Sequence, residues 1–393
     1  MLPENYQRAL LHLLLFGICV GVAIAGPKPE MLGIEAGQIA VNATRISSFK
    51  RFGGADEPLA KLTFRGGLVL TSASPQFGGW SGLIMDDEAK SFLAISDTGV
   101  WLTARLAYDG NHPAAVEDGR LGPLLDRRGR PIGGSFDRDS ESVALESGTF
   151  QQGSVLVGFE SRHRIERYGL TTSGLSADQG PVPLPPDSNK MRHNQGLEGL
   201  TVMKGGPYKG SLVAFSERLY DASRNHTGWL WTGQGPETIH LKNVGDFDVT
   251  DLASLDDGTL FVLERRFRWL EGVKMRLRRI SPEELGPGRT VEGETLIEAD
   301  LNDEIDNMEG LSVTRLKSGE VLVTLISDDN FNPVLQRTIL LQFTVERAEQ
   351  AIAPPLNWLL TGSRLDIDGR TCRSSDLCGL RLLNFALELE AIR

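Results

Sequence analysis

The sequence predicts an all-β fold, a six-bladed β-propeller with one blade closed by terminal strands and a C-terminal appendage. The first observation is a repeat in which a polar or acidic residue opens a short apolar strand and a second apolar strand ends at another acid. The second is its period, because the five copies open 53 to 60 residues apart, at Ser81, Glu141, Glu198, Asp251 and Glu309. A repeat of that length with several short strands is typical of a propeller blade.

The third observation is that two apolar segments, 44–52 and 61–70, precede the first copy and have no acid-opened strand of their own. Each segment has a pair of glycines at or near its end, Gly53-Gly54 and Gly66-Gly67, as expected for strands bounded by turns. We expect them to complete a sixth blade whose other strands come from the far end of the chain. Closing the ring in this way leaves no free sheet edge.

Each unit is expected to continue with a third strand after the acid-closed one. The candidates are 100–108, 164–170, 228–232, 274–280 and 338–345. Two long inserts, 109–139 and 173–195, run directly into acid-opened strands, so we expect them to be loops that overhang the acidic end of the sheet.

The N-terminus is predicted to be a secretory signal peptide spanning 1–25. A base, Arg8, precedes an apolar run that ends in Ala23-Ile24-Ala25, and small residues at those positions indicate cleavage between Ala25 and Gly26. An uncleaved membrane anchor is the alternative, since the run is about as long as the shortest spanning helices. No later stretch is long and apolar enough to cross a bilayer, and we expect a periplasmic or secreted protein.

The remaining chain is expected to contain a lead-in at 26–43, the propeller at 44–353 and a tail at 354–393. Its net charge is −11, which disfavours general nucleic-acid binding and is compatible with binding cations. In the tail, Cys372 and Cys378 close a short loop, which in an oxidising compartment indicates a disulfide. A zinc site would need further ligands, and the chain after Pro355 has no histidine.

Acids at the strand ends predict a metal site. In antiparallel neighbours the start of one strand lies beside the end of the other, so both acids of a unit reach one edge, and in a propeller those edges ring one mouth of the channel. Like charges so placed repel one another, and a divalent cation relieves the repulsion. Ca²⁺ suits an irregular set of oxygen ligands. The candidate ligands are Asp97, Glu141, Glu160, Glu198, Glu217, Asp251, Glu264, Glu309 and Asp328.

The alternative for any single acid is pairing with a nearby arginine or capping of backbone N–H groups. Basic residues do follow several of these acids, and Arg162, Arg218 and Arg265 are candidates to clamp an anionic substrate. Ordinary ion pairing is equally compatible with each. His163 and His193 lie closest to the predicted mouth, where His163 could transfer protons and His193 could contact substrate.

Six short motifs occur in a fixed order along the chain: Gly79-Trp80-Ser81-Gly82-Leu83, Ser96-Asp97-Thr98-Gly99, Asp139-Ser140-Glu141-Ser142, Phe159-Glu160, Asn194-Gln195-Gly196-Leu197-Glu198-Gly199 and Asn307-Met308-Glu309-Gly310. With these motifs the chain resembles the phytase-like family, described as having esterase-like activity of phytase. The resemblance covers about 52–345. It implies an exported bacterial propeller that hydrolyses phosphoesters or carboxyesters.

The function favoured by the sequence is therefore hydrolysis of a small anionic or ester substrate, with Ca²⁺ at the acidic mouth. The inner ligands or bases are expected to be Glu141, Glu198, Asp251 and Glu309. A calcium-dependent lactonase or carboxylesterase is the first alternative. A propeller that binds a ligand or a protein without catalysis is the second. Motifs of other hydrolases, such as Gly-x-Ser-x-Gly and His-Glu-x-x-His, are absent from the sequence.

Overall fold

A computed structural model describes residues 26–30, 34–51, 59, 61–193 and 195–346, and the backbone of 364–365 and 371–372. The chain divides into two compact units, Met1–Glu346 and Arg347–Arg393. In the second unit, two short strands, Arg364–Leu365 and Thr371–Cys372, form an antiparallel pair. The predicted signal peptide, with Ala25, and the predicted pairing of Cys372 with Cys378 lie outside the residues whose side chains are described.

The described part of the first unit begins with three strands that pair with partners much later in the chain. They are β1 (Gly37–Gln38), β2 (Asn42–Ile46) and β3 (Leu62–Thr71). Five sheets, here called blades 1 to 5 in chain order, contain the described strands of this unit, and their strand pairs are antiparallel except for one.

The first two blades are built from consecutive strands. Blade 1 contains β4 (Trp80–Met85), β5 (Ser91–Ser96), β6 (Val100–Asp109) and β7 (His112–Pro123), with β1 paired to β7. Blade 2 contains β8 (Ser140–Gly148), β9 (Gln152–Phe159), β10 (Arg164–Thr171) and β11 (Gly174–Val182).

The next two blades repeat this order. Blade 3 contains β12 (Leu197–Val202), β13 (Leu212–Tyr220), β14 (His226–Thr232) and β15 (Gly235–Leu241), with β19 (Thr290–Val291) added in parallel to β15. Blade 4 contains β16 (Asp248–Ser254), β17 (Leu260–Arg268), β18 (Gly272–Ile280) and β20 (Glu294–Ala299).

Blade 5 corrects the predicted number of blades from six to five. It contains β21 (Asn307–Arg315), β22 (Val321–Asp328) and β23 (Thr338–Val345), and its outer strands are β3 and β2 from the N-terminal end. The prediction that terminal strands close the ring is therefore confirmed. They complete the fifth unit because that unit has no fourth strand of its own, and they have no inner strand from which to start a sixth blade.

The cores show the same five-fold closure. Five buried apolar clusters lie between successive blades, and one of them joins blade 5 to blade 1 through residues such as Leu340 and Leu83. Each inner strand is buried on both faces, since it packs against the inner strands of both neighbouring blades. The hydrophobic effect thus stabilises the ring as a whole rather than any single blade.

The two predicted long loops are shorter than expected. Residues 112–123 and 174–182 fold back as the fourth strands β7 and β11, because their apolar residues pair with the third strands. The segments left at the mouth are 124–139 and 183–196, which contain a helical turn at Ser135–Arg138 and a 3₁₀ turn at Pro186–Lys190. No helix within the described residues has the length and apolar character needed to span a bilayer.

Candidate active site at the channel mouth

All five inner strands have a pairing irregularity at the same position, where one residue is left out of the ladder as in a β-bulge. The residues at this position are Ser81, Glu141, Glu198, Thr250 and Glu309. A bulge turns the extra side chain away from the alternating pattern of the strand, and bulges are common next to active sites. Three of the predicted acids therefore reach the mouth because of a backbone feature that the blades share.

The blades also share a second position at the mouth, at the end of the strand next to the inner strand. In each blade, the inner-strand residue just before the bulge pairs with a residue near the end of the second strand. From blade 1 to blade 5 these partners are Ser96, Phe159, Ser216, Glu264 and Ser327. The residue that follows each partner in the chain lies at the mouth. Those next residues are Asp97, Glu160, Glu217, Arg265 and Asp328. Blade 4 thus places Thr250 and Arg265 where the other blades mostly place carboxylates.

Asp251 and Glu264 were expected in the acidic ring, and the structure places both elsewhere. Each is one residue away from the shared position, and a shift of one residue in a strand turns a side chain to the opposite face. Asp251 is buried and accepts hydrogen bonds from the backbone N–H groups of Leu252 and Leu311, both at 2.7 Å. Burial raises its pKa, which these backbone donors oppose.

Glu264 belongs to a buried ion triad inside blade 4. Its carboxylate accepts a hydrogen bond from Arg276 Nε at 2.8 Å and another from Arg278, and all three side chains are at most 3% exposed. An acid held in this way by two guanidinium groups acts as a structural counter-ion.

The acidic side of the mouth contains two groups of carboxylates that share Glu160. Oxygens of Asp139, Glu141 and Glu160 all lie within 4.8 Å of one another, and so do oxygens of Glu160, Glu198 and Glu217. Asp139 was not among the predicted ligands, although it lies two residues before Glu141. Its side chain accepts a hydrogen bond from Ser161 Oγ at 2.6 Å.

Gly196 permits the close approach of groups around Glu160. Its N–H donates to Glu160 Oε1 at 2.9 Å, and a Cβ at this position would lie 2.8 Å from both Glu160 Cγ and His163 Nδ1. Any side chain here would therefore displace Glu160, the carboxylate common to both groups.

Burial and mutual repulsion raise the pKa values of the carboxyl groups on the acidic side of the mouth. Burial raises the pKa of Glu160 and of Glu217 to about 7 in each case. The pKa values of Glu141 and Glu198 are raised well above the usual range by burial, and neighbouring carboxylates add to the effect. Glu141 is only 8% exposed and makes no hydrogen bond or ion pair with any described residue.

Lys28 places a cation beside this side of the mouth. Its Nζ lies 2.8 Å from Asp97 and 3.7 Å from Asp139. Burial acts to lower the pKa of Lys28, but the two carboxylates outweigh it and the net shift is upward. The short segment that contains Lys28 is fixed by the N–H of Gly26, which donates to the carbonyl of Asn330 at 2.7 Å.

The opposite side of the mouth is arranged around Arg265. Its guanidinium donates to Asn307 Oδ1 at 2.8 Å and lies 3.4 Å from Glu309 and 3.7 Å from Glu217. Asn307 Nδ2 donates in turn to Glu309 at 2.8 Å and lies 3.4 Å from Asp328. Burial raises the pKa of Glu309, and the positive charge of Arg265 opposes that rise.

The other predicted basic residues differ in position. Arg162 is exposed and pairs with Asp137 at 2.8 Å, and Arg218 forms a two-point ion pair with Asp248. Burial lowers the pKa of His163.

His193 is exposed, and its Nδ1 lies 2.8 Å from the carbonyl oxygen of Ser161. Asn194, which belongs to one of the motifs that resemble the phytase-like family, lies outside the described residues.

This geometry defines a class of protein, a five-bladed propeller with carboxylates converging on one mouth of its channel. The chain belongs to the phytase-like family, described as esterase-like activity of phytase, whose model matches residues 75–331, more than half of the chain. The predicted family is therefore confirmed. No curated protein matches the chain.

Solved structures resemble the chain only distantly. They include a putative gluconolactonase (12% identity, TM-score 0.36, covering 82% of this chain and 95% of that one). An endo-arabinase from Bacteroides thetaiotaomicron is 10% identical, with a TM-score of 0.44 and coverage of 70% and 96%. A virginiamycin B lyase from Staphylococcus aureus is 12% identical, with a TM-score of 0.34 and coverage of 72% and 99%. Likenesses this weak carry no argument about the activity of this chain.

Proposed function

We propose that this protein is an exported hydrolase that uses a divalent cation, Ca²⁺, to cleave an ester, in the first place a phosphoester. The single observation that carries the proposal is Glu141, a buried carboxylate that forms no hydrogen bond or salt bridge with a described residue and is attracted to Lys28 only at longer range. Its oxygen lies within 4.8 Å of oxygens of Asp139 and Glu160. Leaving a buried charge unpaired is costly, so a group with this environment indicates a missing positive charge.

The donor set suits a hard cation. Both groups of potential ligands consist of carboxylates alone. Oxygen ligands without nitrogen or sulfur favour Ca²⁺ over zinc or other transition metals, and Ca²⁺ tolerates irregular geometry. Asp139, Glu141, Glu160, Glu198 and Glu217 would hold the ion, which when bound supplies a Lewis acid next to the ester oxygen.

Two other groups at the mouth, Glu309 and Arg265, would accept a proton from water and bind the negative charge of the substrate. Glu309 lies outside both carboxylate groups, and burial raises its pKa, so it is suited to accept a proton from the attacking water. Arg265, 3.4 Å from Glu309, is placed to contact a negatively charged oxygen of the substrate. The water oxygen bonds to the ester centre, the bond to the alcohol oxygen breaks, and the alcohol oxygen receives the proton that Glu309 took from the water.

A carboxylester or lactone is the second candidate substrate class. It is favoured by the ion pairs of Arg162 with Asp137 and of Arg218 with Asp248, which leave Arg265, beside Glu309, as the predicted arginine that faces the reaction centre. A carboxylester needs less positive charge than a phosphate dianion does. A propeller that binds a ligand without turnover is the outcome if no ester is cleaved.

A hydrolase screen of the purified protein with and without Ca²⁺ tests the proposal. The panel contains phytate, simple phosphoesters, lactones and short acyl esters. We expect turnover that EDTA abolishes and Ca²⁺ restores, and its loss in Glu141→Gln. Glu146→Gln is the matched control, because Glu146 lies on the same strand away from the mouth and pairs with Arg167. Turnover that persists in Glu141→Gln would contradict the proposal.

Export is a separate proposal, supported by the leader-like sequence before Gly26. N-terminal sequencing of protein recovered from outside the cytoplasm should read Gly26-Pro27-Lys28. A chain that keeps its first 25 residues in the membrane fraction would favour the uncleaved anchor instead.

A further inference from the structure

A cleft of about 730 Å³ adjoins the Arg265 side of the mouth. One wall is the hairpin between β17 and β18, and the other is the loop that follows β22 in blade 5. Arg265 and Asn307 line both this cleft and the mouth, so a ligand can extend from one into the other.

Most of the large apolar side chains that are exposed among the described residues line this cleft. Eight large hydrophobic residues are exposed, and five of them line this cleft: Phe267, Trp269, Leu301, Val334 and Leu335. Trp269 is 59% exposed on one wall, and Val334 is 88% exposed on the other. Apolar groups concentrated in one concave region indicate a binding site rather than scattered surface variation.

Most of the charge in the cleft is paired. Arg51 and Arg337 share the carboxylate of Glu304, at 3.5 and 2.9 Å, and Arg218 pairs with Asp248. Arg265 lies beside Glu309 and Glu217, and Asp306 adds a further carboxylate to the lining, so the cleft has little surplus of positive charge for a ligand with several phosphates. Its chemistry suits an uncharged apolar group.

The walls are held in place before any ligand binds. In the blade 5 loop, Asn330 and Phe331 both have positive φ angles, 48° and 52°, a conformation that ordinarily favours glycine. Their N–H groups donate to the carboxylates of Asp328 and Asp329, at 2.6 and 3.1 Å, which fixes the turn. Strained backbone secured in this way is typical of ligand-binding regions.

The hairpin wall has a comparable constraint. Gly272 has a φ of 75°, and a Cβ there would lie 2.3 Å from Leu301 Cδ1. The backbone of Gly272, at the tip of the hairpin, therefore lies close to Leu301, another lining residue, with no room for a side chain between them. Both walls are thus preformed, which lowers the entropic cost of binding.

We propose that the substrate is an ester with an aryl or branched alkyl group, which occupies the cleft between Trp269 and Val334 while the ester lies beside Arg265 and Glu309. This substrate class depends on the proposed hydrolase function. It disfavours phytate, all of whose substituents are charged.

The test measures binding separately from turnover. Isothermal titration of the full protein with Ca²⁺ compares 1-naphthylmethylphosphonate with methylphosphonate, neither of which is a hydrolysable ester. We expect the naphthyl ligand to bind at least about tenfold more tightly. Trp269→Ala and Val334→Ser should each remove most of that preference. Leu270→Ala is the matched control, because Leu270 is 94% exposed in the same hairpin turn and does not line the cleft.

Equal binding of the two phosphonates would overturn the proposal, and so would equal effects of Trp269→Ala and Leu270→Ala. Circular dichroism checks that each variant is folded. A naphthyl preference without any ester turnover would leave the cleft as a binding site and refute the hydrolase function. Turnover that shows no preference for apolar esters would refute the cleft and leave the hydrolase function intact.

Discussion

In blade 2 the bulge position and the neighbouring strand end carry Glu141 and Glu160, whereas in blade 4 the same two positions carry Thr250 and Arg265. The backbone arrangement is alike, but the chemistry differs. Blade 2 contributes two buried carboxyl groups that form no salt bridge with a described residue, and blade 4 contributes a cation beside an apolar cleft. The mouth therefore has two sides, one suited to a metal ion and one suited to a substrate.

Blade 4 also contains acids, and their different environment is instructive. Glu264 and Glu160 are both buried, yet Glu264 is satisfied by Arg276 and Arg278, whereas Glu160 has other carboxylates as its neighbours. An acid in a repeat is thus a ligand candidate only if its position directs it to the mouth and it is not enclosed by buried guanidinium groups as Glu264 is.

The largest expected effect is a difference in folding stability between variants of Glu264 and Glu160. Glu264→Gln leaves two buried guanidinium groups without their counter-ion, which should lower the free energy of unfolding by about 3–5 kcal/mol. Glu160→Gln removes a repelling charge and should leave the metal-free protein as stable or more stable. Urea denaturation measures both, and equal destabilisation of the two variants would contradict the distinction.

The acidic side should make the metal-free protein lose stability as pH rises. The pKa of Glu160 and of Glu217 is about 7 in the fold against a reference of 4.5. A carboxyl whose folded pKa is raised costs nothing below its unfolded pKa, and its full cost is present above the folded one. The loss between pH 4.5 and 7 should be on the order of 3 kcal/mol per independent group.

Thermal denaturation with EDTA across this pH range measures the loss. Glu160→Gln combined with Glu217→Gln should flatten it, and Ca²⁺ should do the same for the unaltered protein. A profile that is identical in the double variant would show that these two groups do not cause it.

Gly196→Ala should perturb the shared carboxylate. A Cβ 2.8 Å from Glu160 Cγ forces that side chain to move, at a cost of roughly 1–3 kcal/mol in stability. Calcium affinity should fall with it, as measured by titration calorimetry. Gly233→Ala is the matched control, because a Cβ at Gly233 has open space around it. Unchanged calcium affinity in Gly196→Ala would argue against Glu160 as a ligand.

The smallest expected effect is at Lys28. Removing its charge in Lys28→Ala relieves repulsion of a bound cation, so calcium affinity should rise by about two- to fivefold, the scale of a partly exposed ion pair. Lys317→Ala, which removes an exposed lysine paired with Glu88, should not change it. Weaker binding in Lys28→Ala would mean that Lys28 organises the site instead of competing for it.

The spacing of the acid-opened strands was sufficient to predict the propeller, because each blade repeats one strand pattern. It was not sufficient to count blades, since it did not show that the fifth unit lacks a fourth strand of its own. β3 supplies that strand by pairing with β23, more than 260 positions away. The sequence also does not show where the bulges lie. Aligning the copies of the repeat by their acids therefore placed Asp251 and Glu264 one residue away from the positions that face the mouth. Asp139 was missed because it precedes its strand.

Calcium titration of the folded protein tests the central claim most directly. Calorimetry of the unaltered protein should show saturable Ca²⁺ binding that Glu160→Gln weakens by about a hundredfold, because Glu160 belongs to both carboxylate groups. Glu146→Gln should bind Ca²⁺ like the unaltered protein. Absence of binding in the unaltered protein, or equal binding in Glu160→Gln, would contradict a metal site at the acidic side of the mouth.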